Sequence, residues 1–173
     1  GGELAAEHLH SMGHRHVAVY LSDAHPTRFD RYHSFFARMN SLDPECRIDC
    51  IHERNGDSLP GVCAQYFDSV SPMPTAIFFL TGGDAQKFYL KFLLERMDAL
   101  KDLSIMSYDH PENIAQDPEI LKRFDRIEFL PQEILDWTEF YIVNRPMMKR
   151  RSSVHTDIRP TLRIAGSVKR VNC

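Results

Sequence analysis

Short apolar segments alternate with helical segments along this chain, which is the pattern of an α/β sheet. The helical segments between them are long enough to connect parallel strands by right-handed crossovers. We therefore expect an open, mainly parallel α/β sheet with helices on both faces. Five segments are predicted as strands: Val17–Leu21, Arg47–His52, Thr75–Leu80, Leu103–Tyr108 and Arg126–Leu130.

The loops that follow the predicted strands carry polar side chains. Asp23 comes just after the first strand, Thr81 and Asp84 follow the third, and Asp109 follows the fourth. Ligands of open α/β sheets bind beyond the carboxyl ends of the strands. The pattern therefore predicts a small-molecule pocket at this edge of the sheet.

Composition limits the cellular setting. The net charge of −3 gives no electrostatic signature for direct nucleic-acid binding. No apolar stretch reaches the ~18 residues that cross a membrane, and the first residues do not resemble a signal peptide. The four cysteines contain no Cys-x-x-Cys pair, so we expect free thiols in a reducing compartment. These features favour a cytoplasmic location.

Two of the predicted helices have apolar faces that indicate how they pack. Arg28 to Ser41 has a helical pattern with Phe29, Tyr32, Phe36 and Met39 on one side. A second helix, from Asp84 to about Leu100, has apolar residues over more than one stripe. This breadth indicates either a wide core-facing surface or a homodimer interface, which would also use residues 110–118.

Four segments, in order along the chain, resemble a known family. They are the opening from Gly2 to Ala18, the motif Arg31-x-x-Ser34-Phe35, the segment Pro74–Phe78 and the segment Leu103–Asp109. Together they resemble the effector-binding domain of the lactose/galactose repressor family of bacterial transcription regulators. The resemblance implies a periplasmic-binding-protein-like (type I) fold.

The resemblance also implies an incomplete domain. Residues of about 1–125 and 146–173 would form the C-terminal subdomain, and about 126–145 would be a strand and a helix that belong to a missing N-terminal subdomain. The DNA-binding helix-turn-helix would also be missing, so DNA would be contacted only through that absent domain. On this basis Trp137, Phe140 and Tyr141 should be exposed, swapped between chains or packed in an unusual way.

By the same resemblance, Arg31 and Asp109 lie where family members contact their effector. The implied effector is a sugar-like or nucleoside-like small molecule. Thr81 and Asp84 stand near the place of the family's Asn-Asp pair, where Asp84 either supplies a polar group or caps its helix. Ser58 stands where several members stack an aromatic ring on a sugar.

Alternatives remain open for the two main positions. Arg31 could be a surface residue paired with Asp30 or another acid, and Asp109 could be a loop cap.

His8, His10, His14 and His16 suggest a metal site at first sight, but Gly13 should end the first helix between His10 and His14. We therefore expect no metal ligands and no cofactor.

Three functions compete. The first is the ligand-sensing domain of a transcription regulator, and the second is an exported sugar-binding protein; residues upstream of Gly1 would separate them. The third is a small flavodoxin-like α/β enzyme. The sequence has no Gly-x-Ser-x-Gly elbow, no Gly-Lys-Ser phosphate loop and no Gly-x-Gly-x-x-Gly motif. The first function is therefore favoured, and we expect no enzymatic activity.

Overall fold

The computed structural model describes residues 1–22, 25–54, 56–96, 100–109, 117–148 and 158–171. Within these ranges one sheet contains β1 (His16–Leu21), β2 (Arg47–His52), β3 (Ala76–Phe79), β4 (Ser104–Tyr108), β5 (Asp125–Glu128) and β6 (Thr161–Arg163). The strand order is β2-β1-β3-β4-β5-β6, with β1 to β5 parallel and β6 antiparallel to β5. The expected open, mainly parallel α/β sheet is confirmed.

Helices connect most of the strands. They are α1 (Gly2–Ser11), α2 (Pro26–Leu42), α3 (Leu59–Ser69), α4 (Gly82–Lys91), α5 (Pro118–Leu121), α6 (Pro131–Val143) and α7 (Arg145–Met148), with a 3₁₀ turn at Leu93–Glu95. Among the described residues, no helix combines the length and apolar character that a membrane span requires.

The sheet is covered on both faces, which explains why β1 is a continuous apolar run. Val17 and Val19 face the cluster that contains Phe35 and Met39 of α2 together with residues of α1. Ala18 and Tyr20, which alternate with them, face the opposite cluster, built largely from α3 and α4. Two hydrophobic layers therefore hold the central strands in place.

The buried face of α2 differs from the predicted one. Phe35 and Met39 are fully buried, whereas Phe36 is 40% exposed. The prediction grouped Phe36 with Phe29, Tyr32 and Met39 on one side of the helix. The helix instead rotates Phe35 onto the sheet, where its ring lies 5.1 Å from that of Phe78. The helix also begins at Pro26, earlier than expected, because proline suits the first turn.

Helix α4 is shorter than the predicted helix from Asp84 to about Leu100. It ends at Lys91, and its cap residue Phe92 leads into the 3₁₀ turn. Phe88 and Phe92 pack against Phe67 in the core, with ring centroids 6.2 and 5.9 Å from the Phe67 ring. Much of the broad apolar surface of this helix is therefore core. Of the proposed dimer loop 110–118, residues 110–116 lie outside the described residues.

Helix α6 presents apolar residues to solvent. Phe140 is 44% and Tyr141 49% exposed, as expected, while Trp137 is half-buried and stacks on Phe140 at 5.1 Å. Exposure on this helix reaches 65% at Ile142 and 70% at Val143. The described residues bury little of the apolar surface of α6.

Candidate functional site

The strand order predicts a ligand crevice at the carboxyl edge of the sheet. Strand β1 is followed in sequence by its neighbour on one side, β2, and then by its neighbour on the other side, β3. Connections leave in opposite directions at such a switch point, so the loops there separate and leave room for a ligand. Ser22 follows β1, Thr81 follows β3, and Asp109 follows β4 at this edge.

Arg31 reaches from α2 to the ends of two strands. Its Nη1 donates a hydrogen bond to the Leu80 carbonyl at 2.6 Å and lies 3.5 Å from Asp109 Oδ1. Its guanidinium carbon is 3.7 Å from the centroid of the Tyr108 ring, a stacked cation–π arrangement. The side chain remains 22% exposed. Arg31 is therefore positioned by three contacts and is still open to a ligand.

Asp109 is held in an uncommon backbone conformation. Its φ is +84°, a value that few L-residues adopt and that aspartate tolerates better than most. Its backbone N–H donates to the Ile127 carbonyl at 2.9 Å, and its Oδ2 accepts from the Gly82 N–H at 3.1 Å. These two bonds fix the carboxylate at the end of β4, between the N-terminus of α4 and Arg31.

Gly82 makes this arrangement possible because the helix approaches β4 closely. A Cβ at Gly82 would lie 2.8 Å from the Tyr108 carbonyl and 2.8 Å from a methyl carbon of Leu121. A larger residue would push the first turn of α4 away and separate its N–H from Asp109.

A second set of hydrogen-bonded polar side chains lies where the loops after β1 and β3 meet. The Oδ2 of Asp84 accepts hydrogen bonds from Ser22 and from Thr81, each at 2.7 Å, and Arg28 donates to Ser22 at 2.7 Å. Thr81 is the N-cap of α4, since its Oγ1 accepts from the Asp84 N–H. Asp84 is buried and does not cap the helix; it holds the two loops together.

The remaining predicted site residues are not brought into this group. Ser58 is exposed and caps α3, where its Oγ accepts from the Gly61 N–H at 3.3 Å. No hydrogen bond or ion pair among the described residues joins Ser58 to Arg31 or Asp109. Asp23 lies outside the described residues.

Several contributors were missed by sequence reasoning. Tyr108, the Leu80 carbonyl and Gly82 hold Arg31 and Asp109, yet only their positions beside strand ends could have indicated this. Ser22 is visible in the sequence as a polar residue after β1, but its bond to Asp84 is not. An isolated polar residue gives no sign of its partner when the partner is more than 50 residues away.

The side chains at this edge of the sheet provide groups that can bind a ligand through hydrogen bonds. Arg31 offers fixed N–H donors, and Asp109 offers carboxylate acceptors beside them. Cys63 is a fully buried thiol, and burial raises its pKa to about 12, so it stays protonated near neutral pH. Burial also raises the pKa of Tyr108, which keeps its phenol neutral. The described residues at this edge therefore offer hydrogen-bond donors and acceptors to a ligand.

Several solved structures that resemble this chain are described as transcription regulators. A LacI family regulator from Enterococcus faecium with bound ribose has a TM-score of 0.73 and 19% identity, and the match covers 99% of this chain and 63% of that chain. A LacI regulator from a Rhodococcus species has a TM-score of 0.69 and 19% identity, with coverages of 99% and 62%. A dimeric Lac repressor with a C-terminal deletion has a TM-score of 0.69 and 18% identity, and the match covers 99% of this chain and 62% of that chain.

These likenesses establish the fold. The chain has the periplasmic-binding-protein-like architecture of LacI regulators, and the resemblance read from its motifs is confirmed at that level. The structural neighbours named here are regulators rather than enzymes. The chain spans about three fifths of their length. No protein-family model matches the chain, and no curated protein matches it.

Proposed function

We propose that this chain is the ligand-sensing part of a bacterial transcription regulator and binds a sugar-like or nucleoside-like effector at the carboxyl edge of its sheet. The observation that carries the proposal is the pairing of Arg31 with Asp109, 3.5 Å apart and each about one quarter exposed. Both residues also stand at the effector-contacting positions implied by the family resemblance.

The pair suits a molecule with neighbouring hydroxyl groups. Charged donors and acceptors make stronger hydrogen bonds than neutral ones, and two vicinal hydroxyls can bond a guanidinium and a carboxylate together. The contact of Arg31 with Asp109 is long at 3.5 Å, so the carboxylate retains capacity to accept from a ligand. The structural neighbour with bound ribose supports a polyhydroxylated ligand class.

The proposal extends to the assembly. Helix α6, with its exposed apolar residues, would pack on a second lobe that closes over the ligand, and a separate helix-turn-helix domain would contact DNA. Two protomers would associate through the exposed side of α4 and the following turn, where Leu90 is 42% and Leu94 46% exposed. The neighbour described as a dimeric Lac repressor supports a dimer.

Ligand titration followed by ¹H–¹⁵N NMR tests the proposal on the whole chain. The probes are ribose, glucose, galactose and adenosine. We expect at least one to shift the amides of Gly82 and Asp109. Arg31→Ala and Asp109→Asn should each weaken that binding about tenfold or more, because each removes a charge-assisted bond.

Arg38→Ala is the matched control. Arg38 lies on the same helix and pairs with Glu7 on the surface at 2.8 Å, away from the crevice. Its removal should leave the affinity unchanged. Binding of no probe, or equal binding by wild type and Arg31→Ala, would reject the proposed site. Turnover of ester or phosphate substrates that Arg31→Ala abolished would favour the enzyme alternative.

A further inference from the structure

A cluster of three potential metal ligands lies at the opposite end of α1 from the candidate effector site. It consists of His10 in the last turn of α1, Asp43 at the end of α2, and Cys46 in the turn before β2. One ring nitrogen, one carboxylate oxygen and the thiol sulfur lie within 4.8 Å of one another. We propose that His10, Asp43 and Cys46 form a binding site for Zn²⁺.

The geometry is close to that of a zinc site. Bond lengths of ~2.3 Å to sulfur and ~2.0–2.2 Å to nitrogen or oxygen separate tetrahedral ligand atoms by about 3.3–3.8 Å. The three ligand atoms therefore need to approach one another by no more than about 1.5 Å. A nitrogen, an oxygen and a thiolate sulfur are the donor types that zinc accepts, and water would complete the tetrahedron.

The backbone around the ligands is well held. Helix α1 ends in a Schellman motif: the Gly13 N–H bonds to the His10 carbonyl, the His14 N–H bonds to the Leu9 carbonyl, and Gly13 has a φ of +91°. The segment from Asp43 to Cys46 forms a tight turn, with the Cys46 N–H donating to the Asp43 carbonyl at 3.1 Å. The ends of α1 and α2 and the turn before β2 thus present the three ligands to one another.

Metal binding would change the protonation of Cys46. Cysteine ligates zinc as the thiolate, so binding of Zn²⁺ would form a zinc–sulfur bond and release the thiol proton to water.

Arg15 would compete with a bound cation for the Asp43 carboxylate. Its Nε lies 2.9 Å from Asp43 Oδ2, and its Nη1 donates to the carbonyls of His10 and His14 at 2.9 and 3.1 Å. When a cation takes over Asp43, the guanidinium keeps the two carbonyl acceptors. Removing this positive charge should therefore strengthen metal binding.

Co²⁺ absorption spectroscopy on the chain purified without a polyhistidine tag tests the site, and Zn²⁺ is the competitor. We expect one equivalent of Co²⁺ to give a thiolate-to-cobalt charge-transfer band that Zn²⁺ removes. Zn²⁺ should also raise the melting temperature. Cys46→Ser and His10→Asn should lose the band and the stabilisation, while retaining the far-ultraviolet circular dichroism of the wild type.

Cys50→Ser is the matched control, because Cys50 is an exposed thiol on the adjoining strand β2 and is not in the cluster. It should keep the band. Arg15→Met should bind Co²⁺ on the order of tenfold more tightly. Absence of a charge-transfer band, its persistence in Cys46→Ser, or weaker binding by Arg15→Met would overturn the proposal. These outcomes do not depend on the effector site.

Discussion

At the residue scale, the main feature is a charged pair whose members are each held by backbone groups. Arg31 bonds the Leu80 carbonyl and stacks on Tyr108, while Asp109 accepts from the Gly82 N–H. Preorganised groups lose less side-chain entropy when a ligand binds than freely rotating ones. Under the proposed function, this preorganisation would favour selective recognition of the effector.

His14 is a second residue whose surroundings have a measurable consequence. It is 1% exposed, and its Nδ1 lies 2.8 Å from the Thr75 hydroxyl oxygen. Burial lowers its pKa to about 4. In the unfolded chain a histidine has a pKa of about 6.5, so between these values the unfolded state binds a proton that the folded state excludes. The folded state therefore loses stability as the pH falls through this range.

We expect this contribution to disappear in His14→Gln. The difference between the free energies of unfolding of the wild type and the variant should fall by about 1–2 kcal/mol between pH 7 and pH 5. Urea denaturation at several pH values is the measurement. His52→Gln, a change at an exposed strand end, is the control, and its free energy of unfolding should vary with pH as that of the wild type does. Parallel curves for wild type and His14→Gln would contradict the prediction.

At the element scale, an aromatic cluster fastens α3 and α4 to the sheet. The Phe88 ring lies 5.0 Å from Phe79 of β3 and 5.2 Å from Phe92. The Phe67 ring of α3 lies within 6.2 Å of both Phe88 and Phe92. Phe88 is fully buried, so it is central to the packing of α4. The same helix carries Gly82 and Asp84, which links its packing to the site.

Phe88→Ala should lower the free energy of unfolding by about 3–5 kcal/mol, because it removes a buried ring and leaves a cavity. Urea denaturation followed by circular dichroism gives this value. Leu135→Ala on α6 is the control, since Leu135 is 59% exposed and its truncation should change stability by no more than about 0.5 kcal/mol. A loss below about 1 kcal/mol for Phe88→Ala would be inconsistent with the described core.

At the scale of the whole molecule, two exposed apolar surfaces have different expected partners. One includes Leu90 of α4 and Leu94 of the turn that follows it, and the other includes Leu135 and Ile142 of α6. Exposed apolar patches commonly mark interfaces. In the proposed arrangement the first joins two protomers and the second faces another lobe of the same chain.

Sedimentation equilibrium should therefore separate the two surfaces. We expect a dimer at high micromolar concentration for the wild type and a shift toward monomer in Leu94→Glu, because a buried unpaired carboxylate is costly at an interface. Leu135→Glu, the same change on the other surface, should leave the dimer intact. A monomeric wild type, or dissociation by Leu135→Glu and not by Leu94→Glu, would refute this assignment.

Local patterns were sufficient for most of the architecture. Strand β2 lies at its predicted bounds, Arg47–His52, and β4 begins one residue later than predicted, at Ser104. Gly13 does end the first helix region in a left-handed conformation, as expected. These features are visible in sequence because apolar periodicity and turn residues act over only a few positions.

Long-range contacts were not predictable in the same way. Asp125 is fully buried, where it bonds His8 at 2.8 Å and accepts from the backbone N–H groups of Ala165, Gly166 and Ser167. Burial alone would raise the pKa of this carboxyl, but these bonds hold it below the usual value. His8 and Asp125 are 117 positions apart in the sequence, and no local pattern pairs them.

The amino-acid sequence by itself determined the class of fold and the edge of the sheet where polar groups collect, since both follow from the order of apolar and polar segments. Only the tertiary structure decided which of those groups meet. It joined Arg31 to Asp109, assigned the helix cap to Thr81, and brought His10 close to Cys46. The physical reason is that such contacts depend on the rotation and packing of whole helices, which many distant side chains set together.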